Sequence, residues 1–149
     1  MGGDQPGLTP QQARAQLAAS QRQLTASRRD RTVHATGTAV VGLDCGLLAA
    51  TQNMAHGATK VVLSFVFFAA WLGAAAWSGR ISRTVPRNAR RWALCGIGAS
   101  FALALFAVLP WLNLQAQDSP NTWPMALVAA VVVAVPCLVA AAVIAVGRR

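Results

Sequence analysis

Residues 124–146 have the sequence PMALVAAVVVAVPCLVAAAVIAV and contain no charged side chain. A helix of about 20 residues crosses a bilayer core about 30 Å thick, so this segment is long enough to span a membrane. Pro124 suits the first turn of a helix, and Trp123 before it is a residue type that concentrates at the membrane–water interface. The segment therefore predicts a transmembrane helix in an integral membrane protein.

Three more apolar segments, residues 33–52, 60–79 and 92–112, have a similar length. The chain of 149 residues is 55% hydrophobic and only 11% charged, whereas a soluble globular domain carries about 25% charged residues. A soluble core of this size could not bury so much apolar sequence. We therefore predict an all-α fold, a four-transmembrane-helix bundle with an N-terminal cytoplasmic helix, in which residues 32–149 form one membrane domain.

The segment 33–52 is the weakest of the four, and a cleaved signal peptide is its rival interpretation, although the long preceding tail and Asp44 argue against that. Twelve of the thirteen Lys and Arg residues lie in the N-terminal tail, in the 80–91 loop or at the C-terminus. These three groups share one side only if 33–52 crosses the membrane, and the positive-inside rule makes that side cytoplasmic. We predict a multi-pass protein of the bacterial plasma membrane with both termini in the cytoplasm.

The N-terminal residues divide into a tail, 1–8, which we expect to be disordered, and a basic cytoplasmic helix, 9–31. Thr9 and Gln12 have the spacing of a capping box, with Pro10 at the first helical position. No Gly or Pro follows within this helix, so it either runs unbroken into the first span or bends at the membrane surface. Its apolar stripe is thin, which predicts a partner-binding helix or a solvated extension without a partner, not a helix lying in the membrane surface.

The net charge of +9 would suit nucleic-acid binding in a soluble protein, but here the charge flanks membrane spans, so we expect no nucleic-acid partner. Basic residues beside a membrane attract anionic lipid headgroups, each by about 1 kcal/mol. The candidate contacts with the anionic headgroups of the bilayer are Arg28, Arg29, Arg31, Arg80, Arg83, Arg87, Arg90 and Arg91. For the arginines of the 80–91 loop, the alternative, which we favour, is that they only set the topology.

Asp44 lies in the middle of the first predicted span. An aspartate at that depth costs roughly 2.5 to 3.5 kcal/mol on insertion, and such residues often mark a proton or ion route. No Lys or Arg lies at a matching depth, so we hypothesise a protonated carboxyl that donates a hydrogen bond. The candidate acceptors are the Ser100 hydroxyl and the Val132 carbonyl, which Pro136 leaves free because it has no N–H. A structural contact between helices is the alternative that we favour over transport.

Small residues recur every four positions in three of the spans. The three rows are Gly42-Gly46, Gly96-Ser100-Ala104 and Ala126-Ala130-Ala134. Such rows let helix backbones approach closely, either within one chain or between two copies. We favour packing within the monomer and keep a homodimer as the alternative.

The sequence predicts no enzyme, no metal site and no cofactor. The chain has no Glu, so the paired carboxylates of acid–base catalysis are missing. The three cysteines lie in apolar segments without a CxxC motif. His34 and His56 lie near opposite ends of the first span, and we interpret both as surface residues. Phosphate-binding glycine loops, nucleophile elbows and HExxH motifs do not occur.

The organisation of the chain resembles that of small uncharacterised membrane proteins common in actinobacteria. The resemblance rests on the Gln/Ala/Arg-rich stretch at 9–17 and on the basic RRDR at 28–31 before the four spans. It implies a four-helix bundle and no defined activity. The chain is also similar to small multidrug transporters, dimeric four-helix proteins with an acidic residue in the first span. That similarity implies a proton- and drug-binding role for Asp44, although the residue is Asp and not Glu and the chain has no Tyr.

These observations predict a non-enzymatic membrane protein that scaffolds or regulates a protein partner through its basic cytoplasmic face. The N-terminal helix is the segment we expect to contact that partner. The alternative is a proton-coupled small-molecule transporter that uses Asp44.

Overall fold

The structure of the protein, a computed structural model, describes residues 9–52, 54–81, 85 and 87–147. All of the regular structure in these residues is helical. The elements are α1 (Pro10–Thr51), α2 (Gly57–Ile81), α3 (Arg87–Leu103), a π-helical segment (Ala104–Val108), α4 (Leu109–Asp118) and α5 (Trp123–Val146). The predicted all-α class is therefore confirmed.

Four rods are long and apolar enough to cross a membrane: α1, α2, the continuous rod Arg87–Asp118 and α5. This confirms the predicted bundle of four helices of membrane-spanning length. Most of the large apolar side chains on α2 and α5 point outward from the bundle and are exposed. In a bilayer, lipid chains cover this surface, so no soluble core is needed.

α1 begins at the predicted capping box. The backbone N–H of Gln12 donates to Oγ1 of Thr9 at 3.3 Å, and the backbone N–H of Thr9 donates to Oε1 of Gln12 at 3.0 Å. From Pro10 the helix continues without interruption for 42 residues, a length of about 63 Å. Of the two alternatives for the junction with the first span, the structure has the unbroken helix.

The rod Arg87–Asp118 changes its hydrogen-bond register in the middle. The backbone N–H of Leu109 donates to the carbonyl of Ala104, five residues earlier, which is the register of a π-helix. Pro110 follows directly and has no N–H to offer the preceding turn, which is a common cause of such irregularities. The hydropathy pattern predicts a plain α-helix over 92–112 and does not indicate this π-helical segment.

α1 is the central helix of the bundle. It packs most extensively against α5 and also contacts α2 and α3, and α3 in turn packs against α5. α2 packs against α1 but barely touches the other helices. As a consequence, a gap lies between α2 and the rod Arg87–Asp118, with α1 as its floor.

The rows of small residues form the tight interfaces within this bundle. A Cβ added at Gly42 would overlap Cβ of Cys137, and one added at Gly46 would overlap the carbonyl oxygen of Ala130. A Cβ at Gly96 would lie 2.6 Å from Cβ of Ala140. In the structure of a single chain, these glycines are thus occupied by contacts within the monomer, as the favoured interpretation of the rows expects.

α1 and α5 are joined by a hydrogen bond at the end of the bundle where α5 ends. Nη1 of Arg31 donates to the carbonyl of Gly147 at 3.1 Å. Gly147 closes α5 with a φ of +40°, a left-handed conformation that glycine adopts most easily. Arg31 also places a positive charge at the C-terminus of α5, where the partial charge of the helix dipole is negative.

Replacing Arg31 with alanine is expected to lower the free energy of unfolding by about 1 kcal/mol, because both the hydrogen bond and the favourable dipole interaction are lost. Thermal unfolding in detergent, followed by circular dichroism, measures the change. Arg29→Ala is the matched control, since Arg29 is exposed. Equal stability of the two variants would show that the Arg31 contact with α5 contributes nothing.

Candidate functional site

Asp44 lies at the border between the buried and the exposed face of α1. Its side chain is half-buried, and its neighbours Leu43 and Leu47 are 49% and 48% exposed. Within the described residues it makes no side-chain hydrogen bond and no ion pair. The carboxyl group therefore lies beside an apolar, outward-facing surface, without a hydrogen-bond partner among the described residues.

The other two residues predicted to join Asp44 are engaged elsewhere. Ser100 is fully buried, and its hydroxyl donates to Sγ of Cys137 at 3.3 Å. Pro136 lies inside α5, and its carbonyl faces Gly96 of α3. The structure thus places Ser100 and Pro136 together at the α3–α5 interface, and it does not bring either into a hydrogen-bonded group with Asp44.

The arginines proposed as lipid contacts lie toward one end of the bundle, where α2 ends, α3 begins and α5 ends. Six of them are exposed: Arg28, Arg29, Arg80, Arg87, Arg90 and Arg91. Arg31 is half-buried, and its guanidinium already donates a hydrogen bond to the carbonyl of Gly147 at the end of α5. Arg83 lies outside the described residues. We call this end the arginine end and the opposite one, where Lys60 lies, the lysine end.

The gap beside α2 contains two clefts, each of about 320 Å³. The first, which we call the arginine-end cleft, lies nearer the arginine end, and its walls include His34, Thr38, Trp71, Ser78, Arg90 and Ile97. The second lies nearer the lysine end, and its walls include Gln52, Lys60, Phe101 and Asn113. Both volumes fall within the range of known small-molecule sites. Asp44 lines neither cleft.

Two polar atoms in the walls of the arginine-end cleft are buried and have no hydrogen-bond partner: Nε2 of His34 and Nε1 of Trp71. The neighbouring hydroxyls are satisfied locally. Thr38 donates to the carbonyl of His34 at 2.9 Å, and Ser78 donates to the carbonyl of Ala75 at 3.1 Å. A buried polar atom without a partner costs roughly 1 to 3 kcal/mol, so this pair marks a place where a partner group is missing.

His34, interpreted from the sequence as a surface residue, is instead half-buried. Its side chain lines the arginine-end cleft together with residues of α2 and α3, among them Arg90. His56, in contrast, is exposed. The cleft itself was not predicted, because it follows from the way α2 packs on α1 alone, and no local pattern in the sequence encodes that choice of neighbour.

Among the described residues, no three His, Cys, Asp or Glu side chains are grouped so that they could hold a metal ion. Cys45 and Cys137 are buried free thiols, and Cys95 is an exposed one. No protein-family profile, curated protein or solved structure matches the chain significantly.

Proposed function

We propose that the protein is a non-enzymatic scaffold or regulator in the bacterial plasma membrane, and that it recruits a protein partner through the N-terminal part of α1. The chain is a small integral membrane protein with four helices of membrane-spanning length. The distribution of its arginines supports a cytoplasmic location for the arginine end and for both termini.

The observation that carries the proposal is the part of α1 that extends past Arg31. Residues 10–30 form a helix about 30 Å long, and nearly every residue from Pro10 to Ala26 is exposed. We call residues 10–30 the projecting arm. Most of the stability of a helix in a protein comes from packing of one face against a neighbour. Most of the arm is exposed, and its base, at Leu24, Ser27 and Arg28, lies beside the end of α5. An exposed helix of this length favours a partner that packs against it.

The side chains of the projecting arm indicate what kind of partner fits. Ala13, Leu17, Ser20 and Leu24 follow each other at intervals of four, three and four residues, which is the spacing of the contact positions in a coiled coil. Leu17 and Leu24 are 63% and 48% exposed, so this stripe is available. We infer that the partner contributes a second amphipathic helix.

Transport through Asp44 has less support. A proton-coupled transporter needs its carboxyl group in the path of the substrate, but Asp44 lines neither cleft of the gap beside α2. Its surroundings are instead the exposed leucines of α1. The transporter stays an alternative that the flux measurement described in the Discussion decides.

The double variant Leu17→Asp, Leu24→Asp is expected to lower recovery of the partner at least about tenfold, since two buried leucines each contribute roughly 1.5 to 3 kcal/mol at an interface. Recovery is measured by site-specific photo-crosslinking in intact cells and quantification of the crosslinked species. Membrane insertion should not change, because both leucines precede the apolar segment 33–52.

The matched control is Gln16→Asp, Gln23→Asp, which adds the same charge at the same spacing on adjacent, exposed positions of the arm. This variant should retain the crosslinked species. Retention of the same species by the leucine variant would contradict a helical partner on this stripe.

A further inference from the structure

The gap between α2 and the rod Arg87–Asp118 opens sideways from the bundle. α2 is held by α1 alone and exposes most of its length. A gap of this kind between membrane-spanning helices is in contact with lipid, and there is no water in the hydrocarbon core to fill it. The groups that enter the arginine-end cleft are therefore those that the bilayer supplies.

The walls of the arginine-end cleft change in polarity along the bundle. Arg90 and His34 lie at the end near the membrane surface, and Trp71, Val41 and Ile97 lie further inside. One end thus offers a cation and the other an apolar wall. This arrangement complements an amphiphile, with its charged head at the surface and its hydrocarbon chain along the bundle.

The charge at the mouth of the cleft selects the sign of that head. Arg90 is exposed, and its guanidinium presents several N–H donors in a fixed plane, a geometry that matches the oxygens of a phosphate group. No acidic side chain is among the described residues that line the cleft. The positive charge of Arg90 is therefore not neutralised within the cleft, which favours a lipid whose headgroup carries a net negative charge.

The unsatisfied atoms add a second, independent observation. Nε2 of His34 and Nε1 of Trp71 lie in the walls without partners, at two depths along the same cleft. His34 lies on the surface side of the cleft, where the phosphate and ester oxygens of a lipid offer Nε2 a partner. Trp71 lies deeper, beside the apolar wall, so it reports on an acyl chain in the cleft.

We propose that the arginine-end cleft is a binding site for one anionic phospholipid. The phosphate binds Arg90, the glycerol and ester region lies beside His34, and an acyl chain fills the gap between α2 and α3, where it passes Trp71. The His34 ring turns toward the lipid oxygens when the site is occupied. Among the exposed arginines of the arginine end, Arg90 is the one that lines the arginine-end cleft.

The test measures contact between lipid chains and Trp71 by fluorescence quenching. Trp77, Trp92, Trp111 and Trp123 are replaced by Phe, which should preserve packing because these four side chains are exposed. The full chain is placed in vesicles of phosphatidylcholine that contain an equal fraction of either acyl-brominated phosphatidylglycerol or acyl-brominated phosphatidylcholine. We expect the brominated phosphatidylglycerol to quench Trp71 several-fold more strongly, and equal quenching by the two lipids would overturn the proposal.

Two pairs of variants assign the effect to the cleft. Arg90→Ala should abolish the preference for phosphatidylglycerol, and Arg91→Ala should keep it, because Arg91 is equally exposed but does not line the cleft. Gly79→Leu should reduce quenching by both lipids, since Gly79 lines the cleft and has open space around it. Gly73→Leu, also in open space on α2 but outside the cleft, should not.

Each of these variants has an outcome that contradicts the site. A preference that survives Arg90→Ala, or quenching that survives Gly79→Leu, would place the lipid elsewhere on the protein. In a final experiment, glycerol phosphate, which has the headgroup chemistry without acyl chains, is added in large excess. Quenching should persist. Its loss would show that the site binds soluble phosphate compounds and not a phospholipid.

Discussion

Replacing Gly46 with leucine is expected to lower the free energy of unfolding by about 3 kcal/mol or more, the upper range for an overpacked core. Any Cβ at this position would overlap the carbonyl oxygen of Ala130. That oxygen belongs to the backbone of α5 and cannot rotate away as a side chain would. α1 and α5 would therefore have to separate along the most extensive interface of the bundle.

The measurement is equilibrium unfolding in mixed micelles of a mild detergent and dodecyl sulfate. Gly73→Leu is the matched control, because a Cβ at Gly73 meets no neighbour within 4 Å, and its stability should stay near that of the parent chain. A loss of stability confined to the Gly46 variant is the result expected if α1 and α5 approach closely at this glycine. Equal stability of both variants would mean that α1 and α5 do not pack through this glycine.

Replacing Asp44 with leucine is expected to favour membrane insertion of the first span by roughly 3 kcal/mol, the difference between Asp and Leu at the centre of a transmembrane helix. No hydrogen bond or ion pair within the described residues is lost, because Asp44 makes none. The folded bundle should also keep its stability. Insertion efficiency of residues 33–52 in a translocon assay gives the first quantity, and unfolding in mixed micelles gives the second.

Leu43→Asp is the matched reverse substitution, since Leu43 is the adjacent exposed residue, and it should weaken insertion by a similar amount. A destabilised bundle in the Asp44→Leu variant would show that Asp44 has a structural partner. Proton flux into proteoliposomes, with cationic drugs added, then separates function from structure. A flux present in the parent chain and absent in Asp44→Asn would favour the transporter over the scaffold.

The parts of the fold that could be predicted from the sequence are those that depend on one segment at a time. Length and hydropathy identify the four helices, and the short pattern Thr9-Pro10-Gln11-Gln12 identifies the start of α1, because a capping box involves only residues three positions apart. The row Gly42-Gly46 correctly indicates a close approach of helices. It does not indicate that Cys137 and Ala130 of α5 are the groups approached.

The candidate sites depend on which helices are neighbours. No short stretch of the sequence indicates that choice. Ser100 has the depth expected of a partner for Asp44. However, Ser100 lies on the buried face of α3 and its hydroxyl donates to Cys137, whereas Asp44 lies at the edge of the exposed face of α1. The arginine-end cleft exists because α2 packs against α1 alone. His34 and Arg90 are far apart along the chain, and neither has a sequence context that would single it out from other residues near the membrane surface.

The unbroken α1 also has a mechanical consequence. Arg31 of α1 is hydrogen-bonded to Gly147 at the end of α5, and about 30 Å of helix lies on each side of Arg31. No Gly or Pro lies between Gln11 and Thr36 to act as a hinge, so a sideways force on the outer tip is not absorbed at a bend. The force is carried along the helix to the interfaces that α1 forms with α5 and α2.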